Sequence, residues 1–349
     1  MWPIEDAGDD RVANVDAGTV RRAASMAGKL SDRDLVEMYR QMVLVRTLDE
    51  RIWMLNRQGK AAIVASSQGH EAGQIGSVYA LERGKDHFYT YYRDLAVMLT
   101  LGMTPVEIMA GFLAKAGEPL SGARQFPTHG AYPELRLVNL SNVVGTQIPQ
   151  AVGAALAVKM RGEDSIVITY FGDGASSVGD CHEAMNFAAV HNLPVIFFCE
   201  NNKYAISVPV AKQMAVDSIA SRAEGYGMPG IEVDGCDIMA VVEATSEAAR
   251  RARSGQGPTL IEAHVERYLP HTSDDDDTRY RSSEEIEEAR KRDPLIALSS
   301  QLRDSGLLTD DADNEFRAEA TRIVNEATDT VESAPYPGVD DFGEHVYAR

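Results

Sequence analysis

A strand, a helix and a second strand follow one another without interruption in the middle of this chain, and that succession restricts the fold more than any other feature. Ser165 to Phe171 is rich in β-branched and aromatic residues, Asp180 to His191 reads as helix, and Val195 to Cys199 is a short apolar run after Leu193-Pro194. Two strands joined through a helix run parallel with a right-handed crossover, and such strands are covered on both faces. A third apolar run, Thr259 to Val265, follows the helical stretch Met239 to Arg253, so the unit extends. The expected class is α/β, a doubly wound parallel sheet flanked by helices.

Helical segments precede and follow this unit. Ser31 with Asp34 opens a helix in capping-box fashion, and Leu35, Met38, Met42, Val45, Leu48, Ile52 and Leu55 form one apolar stripe until Gly59 stops it. This spacing predicts a docking helix. Thr104-Pro105-Val106-Glu107 is a second start signal, with Pro at the first helical position. From Ser283 the pattern is charged and helical, with further starts at Pro294 and Thr309. The expected division is a tail and docking helix over 1–58, a binding α/β domain over 59–282, and a C-terminal helical extension and tail over 283–349.

Composition excludes several partners. The 349 residues carry a net charge of -19, and no long basic block appears, so there is no source for a nucleic-acid footprint or for attraction to an anionic membrane. Cys181, Cys199 and Cys236 are odd in number and form no CxxC pair, which fits a reducing cytoplasm and no zinc site. The acidic first ten residues resemble no targeting signal. The uncharged stretch from Leu137 to Val158 is long enough to span a bilayer, but its Asn, Gln, Ser and Thr residues predict a buried segment instead.

In open parallel sheets ligands bind beyond the carboxyl ends of the strands. Gly172-Asp173-Gly174 follows the first strand, and Glu200-Asn201-Asn202-Lys203-Tyr204 follows the second. Parallel strands end on one side, so an Asp carboxylate and an Asn amide approach each other there. The glycines have the wrong spacing for a dinucleotide fingerprint. An Asp facing a pyrophosphate also needs a divalent cation between them, and Mg²⁺ wants about six oxygens. The pattern alone fits equally a Gly-Asp-Gly turn and a separate Asn-Asn turn.

Gly172-Asp173-Gly174, the helix after it and Asn201-Asn202 resemble the metal motif of the thiamine diphosphate-binding fold. Glu183-Ala184, Asn186, Leu193-Pro194 and Tyr204-Ala205-Ile206-Ser207 are similar to the alpha subunit of the decarboxylating first component of 2-oxoacid dehydrogenase complexes. So are Tyr92-Arg93-Asp94, the run Thr146 to Gly153, and Pro270-His271 with Tyr280-Arg281. The likeness runs from about Asp34 to the segment Phe342 to Tyr347 and covers most of the chain.

The resemblance implies that Asp173 and Asn202 bind Mg²⁺ with side-chain oxygens and Tyr204 with its backbone carbonyl. It implies that Gly172, Gly174 and Ala175 line the diphosphate and that Tyr92 and Arg93 contact it, where a guanidinium can offer parallel donors. Asn142 and Val144 would hold the aminopyrimidine ring and support the folded cofactor, and Ile206 joins the binding set. His271 would contact cofactor and substrate and assist acyl transfer to lipoamide. Without the family, a lone His in an acidic loop is ordinarily solvated, Arg93 reads as a surface Arg after a strand, and Asp274 to Asp277 read as a solvated face.

Departures limit the transfer. Glu200 stands where branched-chain enzymes carry an Arg, so it is not counted as a cofactor ligand. Val143 replaces a Pro beside Ser141, Thr146 and Gln147, which match a potassium site in part of the family. Ala62, Ile63 and Val64 replace bulkier aromatics near the substrate pocket.

Deprotonating the thiazolium carbon needs a carboxylate on the pyrimidine ring, normally from a second α/β domain. This chain has sequence for one. The family supplies that Glu from a beta subunit, which implies an α2β2 heterotetramer, with a lipoyl-bearing acyltransferase as acceptor. The small-residue stretch Gln150 to Met160 suits either a packed subunit interface or an internal helix. The implied activity is oxidative decarboxylation of a small 2-oxo acid, a branched-chain one favoured over pyruvate. An acetoin dehydrogenase subunit and a non-catalytic partner-binding paralogue are the alternatives. A nicotinamide enzyme is disfavoured, because no GxGxxG turn lies in the right place.

Overall fold

A computed structural model describes residues 30–139 and 142–343 of the chain. It is built around a seven-stranded sheet with helices on both faces. In chain order the elements are α1 (Asp32–Arg57), α2 (Glu71–Tyr79), β1 (His87–Thr90), α3 (Leu95–Leu101), α4 (Pro105–Phe112), β2 (Ala131–Tyr132), β3 (Leu137–Asn139) and α5 (Gln147–Arg161). Then come β4 (Val167–Gly172), α6 (Gly179–Val190), β5 (Val195–Asn201), β6 (Gly230–Asp234), α7 (Ile238–Arg253), β7 (Thr259–His264), α8 (Ser283–Lys291), α9 (Pro294–Asp304) and α10 (Asp310–Ser333). The strand order is β2-β3-β1-β4-β5-β7-β6, and all neighbours are parallel except β2 with β3.

The predicted βαβ unit is β4-α6-β5, at the centre of the sheet. Its strands alternate between two cores: Ile168, Tyr170, Ile196 and Phe198 face one side, and Val167, Phe171, Val195 and Phe197 the other. β5 runs past Cys199 to include Glu200 and Asn201, paired with Gly172 and His264. The sequence could not extend an apolar run through two polar residues. Both are buried and held by hydrogen bonds, Glu200 accepting from the Tyr91 hydroxyl at 2.7 Å and Asn201 donating to Glu262 at 2.6 Å.

The predicted capping box forms at Ser31 with Asp34, and the predicted helix start at Thr104 is a second capping box, with Glu107. α1 docks within the chain, burying its apolar stripe against α2, α3, α9 and α10. Tyr39 and Arg40 of α1 bond Asp313 at 2.7 Å and Glu319 at 2.6 Å on α10. The two terminal helical segments therefore share a core with one face of the sheet. α5 and α6 cover the other. All three cysteines are free and buried. No helix among the described residues is long and apolar enough to cross a membrane.

The stretch from Leu137 to Val158 is only partly the buried segment its composition predicts. Asn142, Val143 and Val144 are exposed, because the chain turns at the sheet's carboxyl edge between β3 and α5. This edge is where the winding reverses. After β1 the chain moves outward to β3, then crosses back over β1 to β4, so the crevice between the ends of β1 and β4 is the topological switch point at which such sheets bind ligands.

Candidate active site

A cavity of about 290 Å³ opens at the switch point. Tyr92 and Arg93 reach it from the end of β1, and Gly172, Asp173, Gly174 and Ala175 from the end of β4. Asn202, Tyr204 and Ile206 enter from beyond β5, Val144 from the turn before α5, and His271 from the loop after β7. Every residue that the resemblance assigns to the cofactor or Mg²⁺ lines this space except Asn142. Asn142 borders an adjoining cavity of about 180 Å³, which shares Tyr92 and His271 with the first. Ser141 lies outside the described residues. Thr146 bonds the Val143 carbonyl at 2.9 Å, and Gln147 donates to that of Tyr170 at 2.8 Å.

Asp173 is 1% exposed, and neither carboxylate oxygen makes a hydrogen bond of good geometry among the described residues. Burial pushes its pKa up to about 6, against the pull of the Asp173 and Asn202 backbone N–H groups and then of Arg267 and Arg93. Its backbone carbonyl is held by Ser176 Oγ at 2.7 Å and Gln213 Nε2 at 2.6 Å, so the turn is fixed while the carboxylate stays free. The neighbouring glycine is required: a Cβ on Gly174 would lie 2.9 Å from that of Ala205. A buried carboxylate without a well-formed hydrogen bond or an ion partner is costly unless something absent completes it. An oxygen-liganded cation is the chemistry that fits.

Arg93 is fully buried, not a surface residue. It donates to the Ser66 carbonyl at 2.6 Å and to His271, at 3.3 Å to Nδ1 and 3.1 Å to the carbonyl. His271 is likewise not solvated. Burial, then Arg93 and Arg267, push its pKa down to about 3, and its ring meets Tyr92 edge-on at 5.9 Å. Because Nδ1 accepts from the guanidinium, the ring proton sits on Nε2. The acidic run behind it is not a solvated face throughout. Asp275 accepts from the His271 N–H at 2.9 Å and from the Tyr280 hydroxyl, and Asp277 is buried, because the loop must satisfy its own backbone as it folds over the cavity.

Sequence reasoning missed four features. Arg267 is fully buried and donates to the Ile206 carbonyl at 3.0 Å and that of Tyr204 at 3.5 Å, holding a loop in which Lys203 and Ile206 have positive φ. It lies just after β7, so the rule applied to the first two strands would have found it. His70 lies 3.3 Å from Asn202, its Nε2 against the amide nitrogen. Burial, then Arg93, holds its pKa well below the ordinary value. Asp49 of α1 accepts from Ser66 Oγ at 2.7 Å, the Ser67 N–H at 2.8 Å and Gln68 Nε2 at 3.1 Å, anchoring the turn that carries His70. Gln74 ties the Arg93 carbonyl to Asp94 and Glu200, and burial raises both of those carboxyls, each next to the other. The polar run Ser66-Ser67-Gln68-Gly69-His70-Glu71 was the available signal.

The adjoining cavity is apolar on one side, with Ile63, Phe112, Phe126 and Pro127. Of the three positions that depart from the family pattern there, only Ile63 borders it. Ala62 is exposed and Val64 is buried in the core.

Comparisons with known proteins agree with this architecture. The family model described as dehydrogenase E1 component matches residues 39–340. The chain is 51% identical to 2-oxoisovalerate dehydrogenase subunit alpha of Bacillus subtilis, over 92% of this chain and 97% of that one. It is 42% identical to 3-methyl-2-oxobutanoate dehydrogenase subunit alpha of Mycobacterium tuberculosis, over 91% of this chain and 85% of the relative. It is also 42% identical to the pyruvate dehydrogenase E1 component subunit alpha of Staphylococcus aureus, over 86% and 80%. With a family match across most of its length and relatives aligned nearly end to end, this chain belongs to the dehydrogenase E1 component family, as an alpha subunit.

Proposed function

We propose that this chain is the alpha subunit of a thiamine diphosphate enzyme that oxidatively decarboxylates a 2-oxo acid, a branched-chain one by preference, and passes the acyl group to a lipoyl group on a partner acyltransferase. The observation that carries this reading is the unpartnered, buried Asp173 carboxylate at the switch point, facing the same cavity as Arg93 and Asn202. The preference rests on the 51% identity to the 2-oxoisovalerate relative. Thiamine diphosphate, when bound, supplies the carbanion chemistry.

The chain's own residues bind and orient it. Asp173, the Asn202 side-chain oxygen and the Tyr204 carbonyl hold Mg²⁺, and Gly172, Gly174 and Ala175 let the diphosphate approach the backbone. Arg93 and Tyr92 donate to phosphate oxygens. Val144 and Ile206, half exposed at the rim, give the organic part an apolar support. His271 presents the Nε2 proton to the reacting groups. Ile63, Phe112 and Phe126 make a water-poor surface for an aliphatic acyl chain.

The carboxylate for the pyrimidine ring comes from a beta subunit in an α2β2 assembly. The open side of α5, with Gly153 and Met160 exposed and Ala154 and Ala157 half-buried, suits a subunit contact. The chain alone, given thiamine diphosphate and Mg²⁺, is expected to show no turnover. Co-expressed with its beta subunit it should reduce an artificial electron acceptor with 2-oxoisovalerate faster than with pyruvate or acetoin. Silence with all three despite bound cofactor would overturn the assignment.

The site also sets a pH dependence. Asp173 must be ionised to take the cation, and its pKa in the metal-free protein is about 6. His271, with a pKa of about 3, stays neutral over the same range. Affinity for Mg²⁺ should therefore be flat above pH 7 and fall by about tenfold per unit below pH 6. Titration of Mg²⁺ into the thiamine diphosphate complex at pH 5 and pH 7.5 measures this; equal affinities would remove Asp173 from the ligand set.

A further inference from the structure

We infer that His70 is a positioning residue that fixes the side-chain amide of Asn202, turning its oxygen toward the bound cation. The inference rests on the proposed cation site and adds a residue to it. The two ends of the Asn202 amide face different neighbours. Its Oδ1 accepts from the Tyr204 backbone N–H at 3.3 Å, and its Nδ2 lies 3.3 Å from His70 Nε2. The Tyr204 N–H is a fixed donor, so an amide turned end for end would set donor against donor there. The oxygen therefore belongs on the Tyr204 side, and its second lone pair is the one that can meet a cation. The nitrogen then needs an acceptor. His70 Nε2 is that acceptor, which places the ring proton on Nδ1.

The ring is in no position to do anything else. His70 is fully buried, and Nδ1 has no hydrogen bond of good geometry among the described residues, although the Gln68 backbone lies close enough to act on the ring. The backbone on either side is fixed: the His70 N–H donates to the Ser67 carbonyl at 3.0 Å, and its own carbonyl accepts from Gln74 N at 3.0 Å. Gly69 before it is locked against Glu266. An outer partner that orients a metal ligand typically changes metal affinity 10- to 100-fold when removed.

Mn²⁺ is the probe, and its binding to the complex of this chain with its beta subunit, with thiamine diphosphate present, can be counted by electron paramagnetic resonance without turnover. His70→Leu keeps the bulk and loses the acceptor, so Mn²⁺ affinity should fall roughly 10- to 100-fold. His70→Gln retains an acceptor and should bind close to wild type. In an Asn202→Asp background either oxygen can face the cation, and there His70→Leu should change affinity by no more than about twofold. If the Leu variant fails to assemble, His70→Met fills the space without a strong acceptor and takes its place. Wild-type Mn²⁺ binding in the Leu or Met variant, or an equal loss in His70→Gln, overturns the inference. Asp173→Ala tells the two readings apart: if it binds Mn²⁺ normally the cation site itself is wrong, whereas if it loses Mn²⁺ while His70→Leu does not, only the positioning role fails.

Discussion

Asp173→Ala should abolish turnover of the complex with its beta subunit while leaving the cofactor-free protein as stable as before or more so. The two halves of this expectation have one cause. In the folded chain the carboxylate is buried with neither oxygen in a well-formed hydrogen bond among the described residues, and its pKa rises from 3.8 to about 6. A raised carboxyl pKa means the folded state binds the proton more tightly than the unfolded chain. Ionisation then costs stability, from nothing below pH 3.8 to a full cost of about 3 kcal/mol above pH 6. Alanine removes that cost. The cofactor-free variant should melt higher than wild type at pH 7.5, and the difference should vanish toward pH 4. With thiamine diphosphate and Mg²⁺ the order reverses. Removing one member of a buried ion pair costs about 3–5 kcal/mol, or roughly 10²- to 10⁴-fold in affinity. Thermal melts of both proteins with and without the cofactor pair, beside an acceptor-reduction assay, read all of this. A variant that melts lower without cofactor, or one that still gains stability from Mg²⁺, would show that Asp173 is an ordinary turn residue.

The same residue shows what a sequence can disclose. Asp173 and Asn202 were legible as a pair because the βαβ grammar is local: two strands and a helix in succession fix a parallel arrangement, and parallel strands end together. Nothing local says that β1 lies beside β4, since the intervening β3 is inserted on the far side. Arg93 therefore reads as a surface residue until the strand order is known. Glu200 shows the converse error. Its charge ends an apolar run, yet it completes β5, because Tyr91 and Gln74 come from elsewhere to bond it. Arg267 sits where the strand-end rule points, but its role, like that of Asp49, shows only through partners more than 15 residues away in the chain, the Tyr204 and Ile206 carbonyls and the Ser66 turn. Motifs mark the groups that touch a ligand; the groups that hold those motifs in place are set by the tertiary fold. His70 is the nearest case, one residue from a conspicuous glycine and invisible without Asn202 beside it.

Gly69→Ala should be among the most destabilising single substitutions in this chain, and the loss should reach the site. Gly69 has a φ of +93°, and a Cβ there would lie 2.3 Å from the Glu266 carbonyl oxygen and 2.8 Å from its carbon. Neither side can yield cheaply. The Glu266 N–H donates to the Gly69 carbonyl at 3.3 Å, and the Gly69 N–H donates to Glu71 Oε2 at 2.8 Å. Glu71 is itself buried against Arg46 at 2.6 Å, and Arg46 reaches Asp293 at 2.9 Å, so a shift at residue 69 disturbs α1 and α9 together. Gly84 is the control. Its φ is +79°, but a Cβ there meets nothing within 4 Å. Both substitutions carry the left-handed backbone penalty of about 1–2 kcal/mol. Only Gly69→Ala adds overlap with fixed backbone, for a total of about 3–5 kcal/mol, and its melting temperature should drop by roughly 5–10 °C. What survives folded should bind thiamine diphosphate more weakly, because the turn carries His70 toward Asn202 and offers the Ser66 carbonyl to Arg93 at 2.6 Å. Equal melting shifts for the two variants would mean that the close approach of residue 69 to Glu266 relaxes without cost, and a Gly69→Ala protein with unchanged cofactor affinity would sever this turn from the site.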